Sequence, residues 1–360
     1  MTPAGAAEPG GSTPLLVLHA AAGGATGFGH VARGSAIGAA GRRRGWRAEL
    51  LVEAPDQAEV EGRIPSDASV VSTRTAALAR RRASAAAHQG PVILACDLPD
   101  RRIADGAHVA ADGFDLTVLL NGDPSHPAPA DVVFLRGRPS GRPVQARCVA
   151  MGQAFEVVRP EVQALRPPQP WDGSSIDRVL VSFGGSDPGR QTERLAAALA
   201  GRRLPETLLV AGPSFGQARV QELCRLARPP MSVVVAPDSL PALMVDADLV
   251  VSMGGQSVLE ALHLGRPVAA IRWADLGRDV AWLAEERLVH DLGPVDGAAA
   301  ALERVLEAPR QLSELAEAGW RSIDGGGADR CVDVMARSLA GIRFDDPVLA
   351  PVERERQTRE

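Results

Sequence analysis

"DLVVSMGGQSVLEALHLGRPVAAI", residues 248–271, is the stretch on which the reading of the fold turns. A short β-branched run ends in the paired glycines Gly254 and Gly255, a helical stretch follows, and "PVAAI" opens the next apolar run. Strand, glycine turn, helix and strand in this order make one unit of a parallel sheet covered by helices.

The same alternation extends in both directions. In the second half, strands are predicted at 178–185, 207–212, 232–236, 248–255 and 267–271, each followed by a helix. In the first half they are predicted at 15–19, 48–53, 91–97, 115–120, 131–135 and 147–152. Between the halves, "RPEVQALRPPQPWDGSS" (159–175) is proline-rich without periodicity and reads as a linker. The class is α/β, with domains expected at 14–163 and 176–342. The charged stretch 343–360 and the opening "MTPAGAAEPGGSTP" are expected to be unstructured tails.

At 360 residues the chain is long enough for two cores. Its 45% hydrophobic and 23% charged residues describe an ordinary folded protein, and no apolar run approaches the roughly 18 residues needed to cross a bilayer. No basic start followed by an apolar stretch marks a secretory signal. Cys96, Cys148, Cys224 and Cys331 stand apart with no C-x-x-C pair, which argues against a metal cage or a disulfide framework and fits a reducing cytoplasm. A net charge of −5 gives no general affinity for nucleic acid. The basic knots "GRRRGW" (41–46) and "ARRRAS" (79–84) are read as solvated helix ends, the alternative being a patch for a lipid-linked or phosphorylated partner. The chain has neither lysine nor tyrosine, which excludes Schiff-base chemistry.

Three glycine turns carry the candidate site. In "SFGGSDPGRQTERLAAAL" (182–199), Gly184 and Gly185 end a strand, Ser186 or Asp187 is expected to cap the next helix, and Pro188 to start it. Free N–H groups at such a turn suit a diphosphate, although any α/β loop needs glycine and a cap. At the second turn, Gly254, Gly255 and Gln256 lead to Ser257 as the expected cap. Glu260 lies one turn further on, placed to take both hydroxyls of a ribose or simply to stabilise the helix dipole. Neither turn contains G-K-[ST] or G-x-G-x-x-G, so a Walker loop and a dinucleotide fingerprint are both missing. The third turn, "TGFGH" (26–30), puts His30 where a strand gives way to a helix.

Five blocks, "GFGHVARG", "AMGQAFEVVRPEV", "VLVSFGGSDPGRQT", "ADLVVSMGGQSVLEALHLGRPV" and "SIDGGGADRCVDVM", stand in the order and rough spacing found in the nucleotide-sugar hydrolases of the pseudaminic acid pathway. The chain resembles that family over about residues 15–340 and, more distantly, the glycosyltransferase that forms lipid II. The resemblance implies the GT-B architecture, two Rossmann-like domains with the active site in the cleft between them. It further implies a nucleotide in the second half, with Glu260 on the ribose, residues 254–257 on phosphate or base, and Gly184 to Asp187 lining the cleft. In those hydrolases the histidine of G-x-G-H is the proposed general base, and His30 matches it; a neutral imidazole can accept a proton near neutral pH. Gly27 and Gly29 leave room for a sugar ring. Arg33, one helical turn after His30, is expected either to meet a phosphate or to sit on the surface.

Two departures fall on the sugar side. Where the hydrolases continue D-H-Y-G, Asp97 is followed by "LPDRR", and Asp97 is expected to orient the sugar or the imidazole. Where they tend to carry an asparagine–glutamine pair, this chain has "WADLGRDVAWL" (273–283), in which Trp273, Asp275, Asp279 and Trp282 either rebuild the pocket or, for the tryptophans, join the core.

The expected reaction cleaves the bond between an anomeric carbon and a nucleoside diphosphate, UDP first among the candidates, with inversion and without a metal or other cofactor. Water as nucleophile makes the chain a hydrolase of an amino or deoxy sugar, the favoured expectation. Another molecule's hydroxyl makes it a glycosyltransferase, with a peripheral membrane contact if that acceptor is lipid-linked. A third reading retains nucleotide-sugar binding without turnover.

Overall fold

The structure, a computed structural model, describes residues 12–23, 26–58, 60–99, 113–122, 130–135, 146–173, 175–342 and 348–349. Two parallel sheets organise them. The first is built from β1 (Leu15–Ala21), β2 (Arg47–Glu53), β3 (Ser69–Val71), β4 (Val92–Asp97), β5 (Leu116–Gly122), β6 (Val132–Leu135), β7 (Cys148–Met151) and the two-residue β14 (Val348–Leu349). Across it the order is β14-β7-β6-β5-β4-β1-β2-β3. The second contains β8 (Arg178–Val181), β9 (Glu206–Ala211), β10 (Met231–Val235), β11 (Leu249–Ser252), β12 (Val268–Ile271) and β13 (His290–Gly293), in the order β10-β9-β8-β11-β12-β13. Every ladder is parallel.

Both faces of these sheets are covered, which is why the strands read as continuous apolar runs instead of alternating ones. Along β1, Leu16, Leu18 and Ala20 join one buried cluster, whereas Leu15, Val17 and Ala21 join another. Helix α1 (Gly29–Arg43) covers the first face, with Ile37 fully buried. Helix α2 (Arg74–Ala87) packs on the other, through Ala85. In each sheet the strand order reverses beside the first strand, between β1 and β4 and between β8 and β11. Ligands of doubly wound sheets bind at the carboxyl ends of the strands at such a reversal.

A four-residue helix, α3 (Pro160–Gln163), lies within the predicted linker. The linker is pinned as well: Trp171 is buried in the second core and its Nε1 donates to Asp248 at 3.0 Å. The second half continues with α4 (Gln191–Leu199), α5 (Gln217–Leu226), α6 (Leu240–Val245), α7 (Gln256–His263), α8 (Leu276–Glu285), α9 (Val295–Leu306), α10 (Pro309–Ser322) and α11 (Gly327–Leu339). Helix α11, counted with the second half by chain order, instead buries Cys331, Val332, Val334 and Met335 in the first core.

The arginine knots are structural. In the first, Arg43 donates to both oxygens of Asp329 at 2.8 and 2.9 Å, and Arg44 pairs with Asp333, so the end of α1 is tied to α11. In the second, Arg81 is 2% exposed in the middle of α2, where it meets His19 Nδ1 and Cys96 Sγ, each at 3.3 Å. The first is thus an exposed helix end as expected, with Arg42 and Arg43 in the last turn of α1, whereas the second lies inside α2 with Arg81 buried. The strands β3 and β13 are too short or too polar ("SVV", "HDLG") to show a period. Of the tails, Val348–Leu349 pair with β7, while residues 1–11 and 350–360 lie outside the described residues.

Candidate active site

The two reversal points face each other. α1 starts at Gly29 in the first half and α7 at Gln256 in the second; a Cβ placed on Gly29 would sit 3.7 Å from Gln256 Cβ. Neither helix has a side chain capping its first turn. Two sets of unpaired N–H donors, each with a positive dipole end behind it, therefore converge on one locus.

On the first side, Asp97 is the last residue of β4 and His30 stands in the first turn of α1. His30 Nδ1 is 2.7 Å from Asp97 Oδ1, with the His30 side chain 16% exposed and Asp97 1% exposed. Asp97 is thus hydrogen-bonded to the imidazole. If the carboxylate accepts from Nδ1–H, Nε2 keeps its lone pair for a proton. Arg33 is neither on the surface nor free for a phosphate: its side chain is 8% exposed and Nη1 donates to the same Asp97 Oδ1 at 3.0 Å. Gly27 has φ +73°, a left-handed conformation that glycine adopts without strain, and its amide closes a turn onto the Gly23 carbonyl.

On the second side, Gly254 and Gly255 have φ +96° and +72°. Gly255 caps α7, so Ser257 falls inside the helix and caps nothing. Gln256 Nε2 donates to the Val157 carbonyl at 2.6 Å, binding the start of α7 to the chain that leaves the first half. Glu260 is 2% exposed and already has a partner: Arg159 donates Nε to Oε1 at 2.7 Å and Nη2 to Oε2 at 3.0 Å. Burial pushes the Glu260 carboxyl above its ordinary range, and Arg159 opposes that shift. A carboxylate has about four acceptor positions, so this fork and a hydrogen bond from Gln256 leave about one for a hydroxyl.

The turn at Gly184 to Asp187 is built differently from the sequence expectation. Helix α4 starts only at Gln191, so Pro188 precedes it. Asp187, 1% exposed, accepts from the amides of Gln191 and Thr192, both at 2.9 Å, from Thr192 Oγ1 at 2.8 Å and from Arg219 Nη2 at 2.8 Å. Its oxygens are spent on internal partners. The Ser186 carbonyl accepts from Arg219 Nη1. Gly184 and Gly185 remain half-buried, Gly185 against Pro213. Asp275 is exposed at the start of α8, without a cap bond. Trp273 packs so closely on Gly189 that a Cβ there would overlap its indole, and Trp282 packs on the buried cluster that contains Val258, Val280 and Leu283.

Two arginines that the sequence did not single out join the halves. Arg159 reaches Glu260 across 101 positions of sequence. Arg63, in the segment between β2 and β3, donates to Ser214 Oγ and the Pro213 carbonyl, both at 3.0 Å, with its guanidinium 5.8 Å from the Phe28 ring centre. Only their spatial partners mark them out; nothing in their local sequence does. Among the described residues, no three His, Cys, Asp or Glu side chains converge as a metal site, and no helix is long and apolar enough to cross a membrane.

No protein-family model and no curated protein matches the chain. Solved structures do. Sucrose-phosphate synthase of Thermosynechococcus elongatus is 16% identical with a TM-score of 0.59, over 91% of this chain and 99% of its own. MurG of Acinetobacter baumannii is 14% identical with a TM-score of 0.57, over 90% and 99%. UDP-GlcNAc 2-epimerase of Neisseria meningitidis, bound to UDP-GlcNAc, is 11% identical with a TM-score of 0.58, over 90% and 100%. At these identities the likeness concerns the fold, and the fold is GT-B: two Rossmann-like parallel-sheet domains.

Proposed function

We propose that this chain transfers a glycosyl group from a nucleoside diphosphate sugar to an acceptor hydroxyl, with inversion at the anomeric carbon. The observation that carries the reading is the His30–Asp97 pair beside the uncapped start of α7, where a Cβ on Gly29 would fall 3.7 Å from Gln256 Cβ. A base stands on one side of the locus and donors for a departing diphosphate on the other.

In the reaction, His30 Nε2 takes the acceptor's hydroxyl proton as its oxygen attacks the anomeric carbon. The bond from that carbon to the diphosphate oxygen breaks, and its electron pair leaves with the diphosphate. Amides of the first turn of α7 and the Gly254–Gly255 turn stabilise the new charge. Asp97 accepts from Nδ1–H of the resulting imidazolium. Glu260 receives a ribose hydroxyl beside Arg159. A single displacement from the face opposite the leaving group inverts the configuration. The named ligand and substrates of the fold neighbours make UDP sugars the first donors to try.

Water as the attacking group is the second reading, favoured by the "GFGHVAR" block. One experiment separates the two. The protein is incubated with UDP, dTDP, GDP, ADP and CDP sugars, and nucleoside diphosphate release is measured with and without acceptors. Release that requires an acceptor supports transfer, and release without one supports hydrolysis. No release under any condition overturns both. His30→Ala is expected to lower turnover by about 10²–10⁴-fold, the usual contribution of a positioned base, while nucleotide binding stays near that of the wild type. A variant within twofold of wild-type turnover removes His30 from the mechanism.

A further inference from the structure

We propose that Arg33 is a positioning residue that sets which nitrogen of His30 carries the proton. The inference rests on the functional reading above for its catalytic consequence, but its core is testable without any substrate. His30 and Arg33 are three residues apart on α1 and so share a helix face. Both reach Asp97 on β4, and both reach the same oxygen, Oδ1, at 2.7 and 3.0 Å.

The charge state of Asp97 decides the tautomer of His30. An ionised carboxylate can only accept, so Nδ1 must carry the hydrogen and Nε2 is left as the base. A protonated carboxyl can instead donate to Nδ1, which places the imidazole hydrogen on Nε2, where it cannot take a proton from an acceptor. Asp97 is 1% exposed, and burial of that degree favours the neutral acid unless an opposite charge lies close by. Arg33 supplies one that cannot titrate away. Its own side chain is 8% exposed, so water screens the pair little.

Other groups lie in the same field. Burial and Glu156 push the Cys331 thiol on α11 up, and Arg33 opposes them. Arg33 therefore has Cys331 as an electrostatic neighbour besides Asp97, and Glu156 acts on the same thiol. If its purpose were only to neutralise Glu156, removing it would disturb packing near α11 and leave the His30 tautomer alone.

The test is nitrogen NMR of protein labelled with ¹⁵N-histidine, without ligand at neutral pH, the His30 signals being assigned by their loss in His30→Gln. The wild type is expected to show hydrogen on Nδ1 and none on Nε2. Arg33→Met is expected to reverse this, and Arg33→Lys to retain the wild-type pattern because it retains the charge. In turnover of the donor sugar, Arg33→Met is expected to lower kcat by at least about tenfold, within the range of lost acid–base catalysis, with KM for the donor changed less than twofold. Hydrogen on Nε2 in the wild type, an unchanged tautomer in Arg33→Met, or kcat within twofold of wild type in that variant overturns the proposal. If Arg33→Met fails to fold, Arg33→Lys decides, since loss of the wild-type tautomer there also overturns it. A wild type that turns over no nucleotide sugar sinks the functional reading, and the NMR result then still decides what Arg33 does.

Discussion

Single residues differ first in depth: the His30 side chain keeps 16% of its surface exposed, whereas Asp97, Arg33 and Asp187 are buried among internal partners. His30 was legible because "TGFGH" places a histidine at a strand-to-helix turn, and its partner Asp97 because it ends the neighbouring strand. Arg33 and Asp187 were legible as chemistry but not as depth: a charged residue near a turn looks the same in sequence whether it meets a ligand or an internal partner. The thiols follow the same division. Burial pushes Cys96 and Cys148 up to about 11 and Cys331 up further, whereas Cys224 is exposed. Only a thiolate reacts. A thiol reagent at neutral pH should therefore modify one cysteine of the native protein quickly, identified by peptide mapping as Cys224, and all 4 after denaturation. Rapid native labelling of Cys96 would contradict the packing beneath α2.

At the scale of elements, the sequence showed strands and helices wherever apolar periods were long, and the two glycine turns of the second half were placed at strand ends as expected. What it could not show was which helix starts rely on long-range partners. The start of α4 is such a case, since Asp187, which accepts from its first two amides, is held by Arg219 from α5, 32 positions away. Arg219 also binds Glu193 Oε2 at 2.9 Å. Burial alone would push Glu193 up, but hydrogen bonds from Arg219 and Arg190 overcome it, and the carboxyl lies below its ordinary range. The sign of the pH effect follows. A carboxyl that is more acidic folded than unfolded contributes stability above its unfolded pKa of about 4.3. That contribution is lost as pH falls through this value towards the depressed folded one. Arg219→Met should lower stability to denaturant at pH 7 and make the acid limb between about pH 3 and 5 shallower than in the wild type. Parallel acid limbs in urea titrations of the two proteins would refute the role given to Arg219.

The whole molecule is two sheets of the same winding, joined by a pinned linker, by the Arg63 and Arg159 contacts and by one helix that returns. The two-domain plan was readable because the βα alternation restarts after a proline-rich segment. The return of α11 was not, because its apolar face fits either core and only the three-dimensional path selects one. "SIDGGGADRCVDVM" contains the clue in retrospect. At the start of α11 the chain passes so close to the first half that a Cβ on Gly327 would overlap the Glu156 carbonyl, a backbone atom that cannot swing aside. The adjoining residues Ala328, Cys331 and Val332 fill the first core, and Arg43 and Arg44 anchor the outer face of the helix. Gly327→Ala must then lift the start of α11 away from residues 155–156 or shift them, and either movement opens the core beside α1. Overpacking of this kind costs about 1–3 kcal/mol, so the variant should unfold at lower urea concentration with an unchanged slope. The damage should be confined to the first half. Hydrogen exchange is expected to quicken in α1 and α11 while β8, β11 and α7 keep their protection. Equal loss of protection in both halves would mean that the returning helix is a support for the entire molecule and not the closing piece of the first domain.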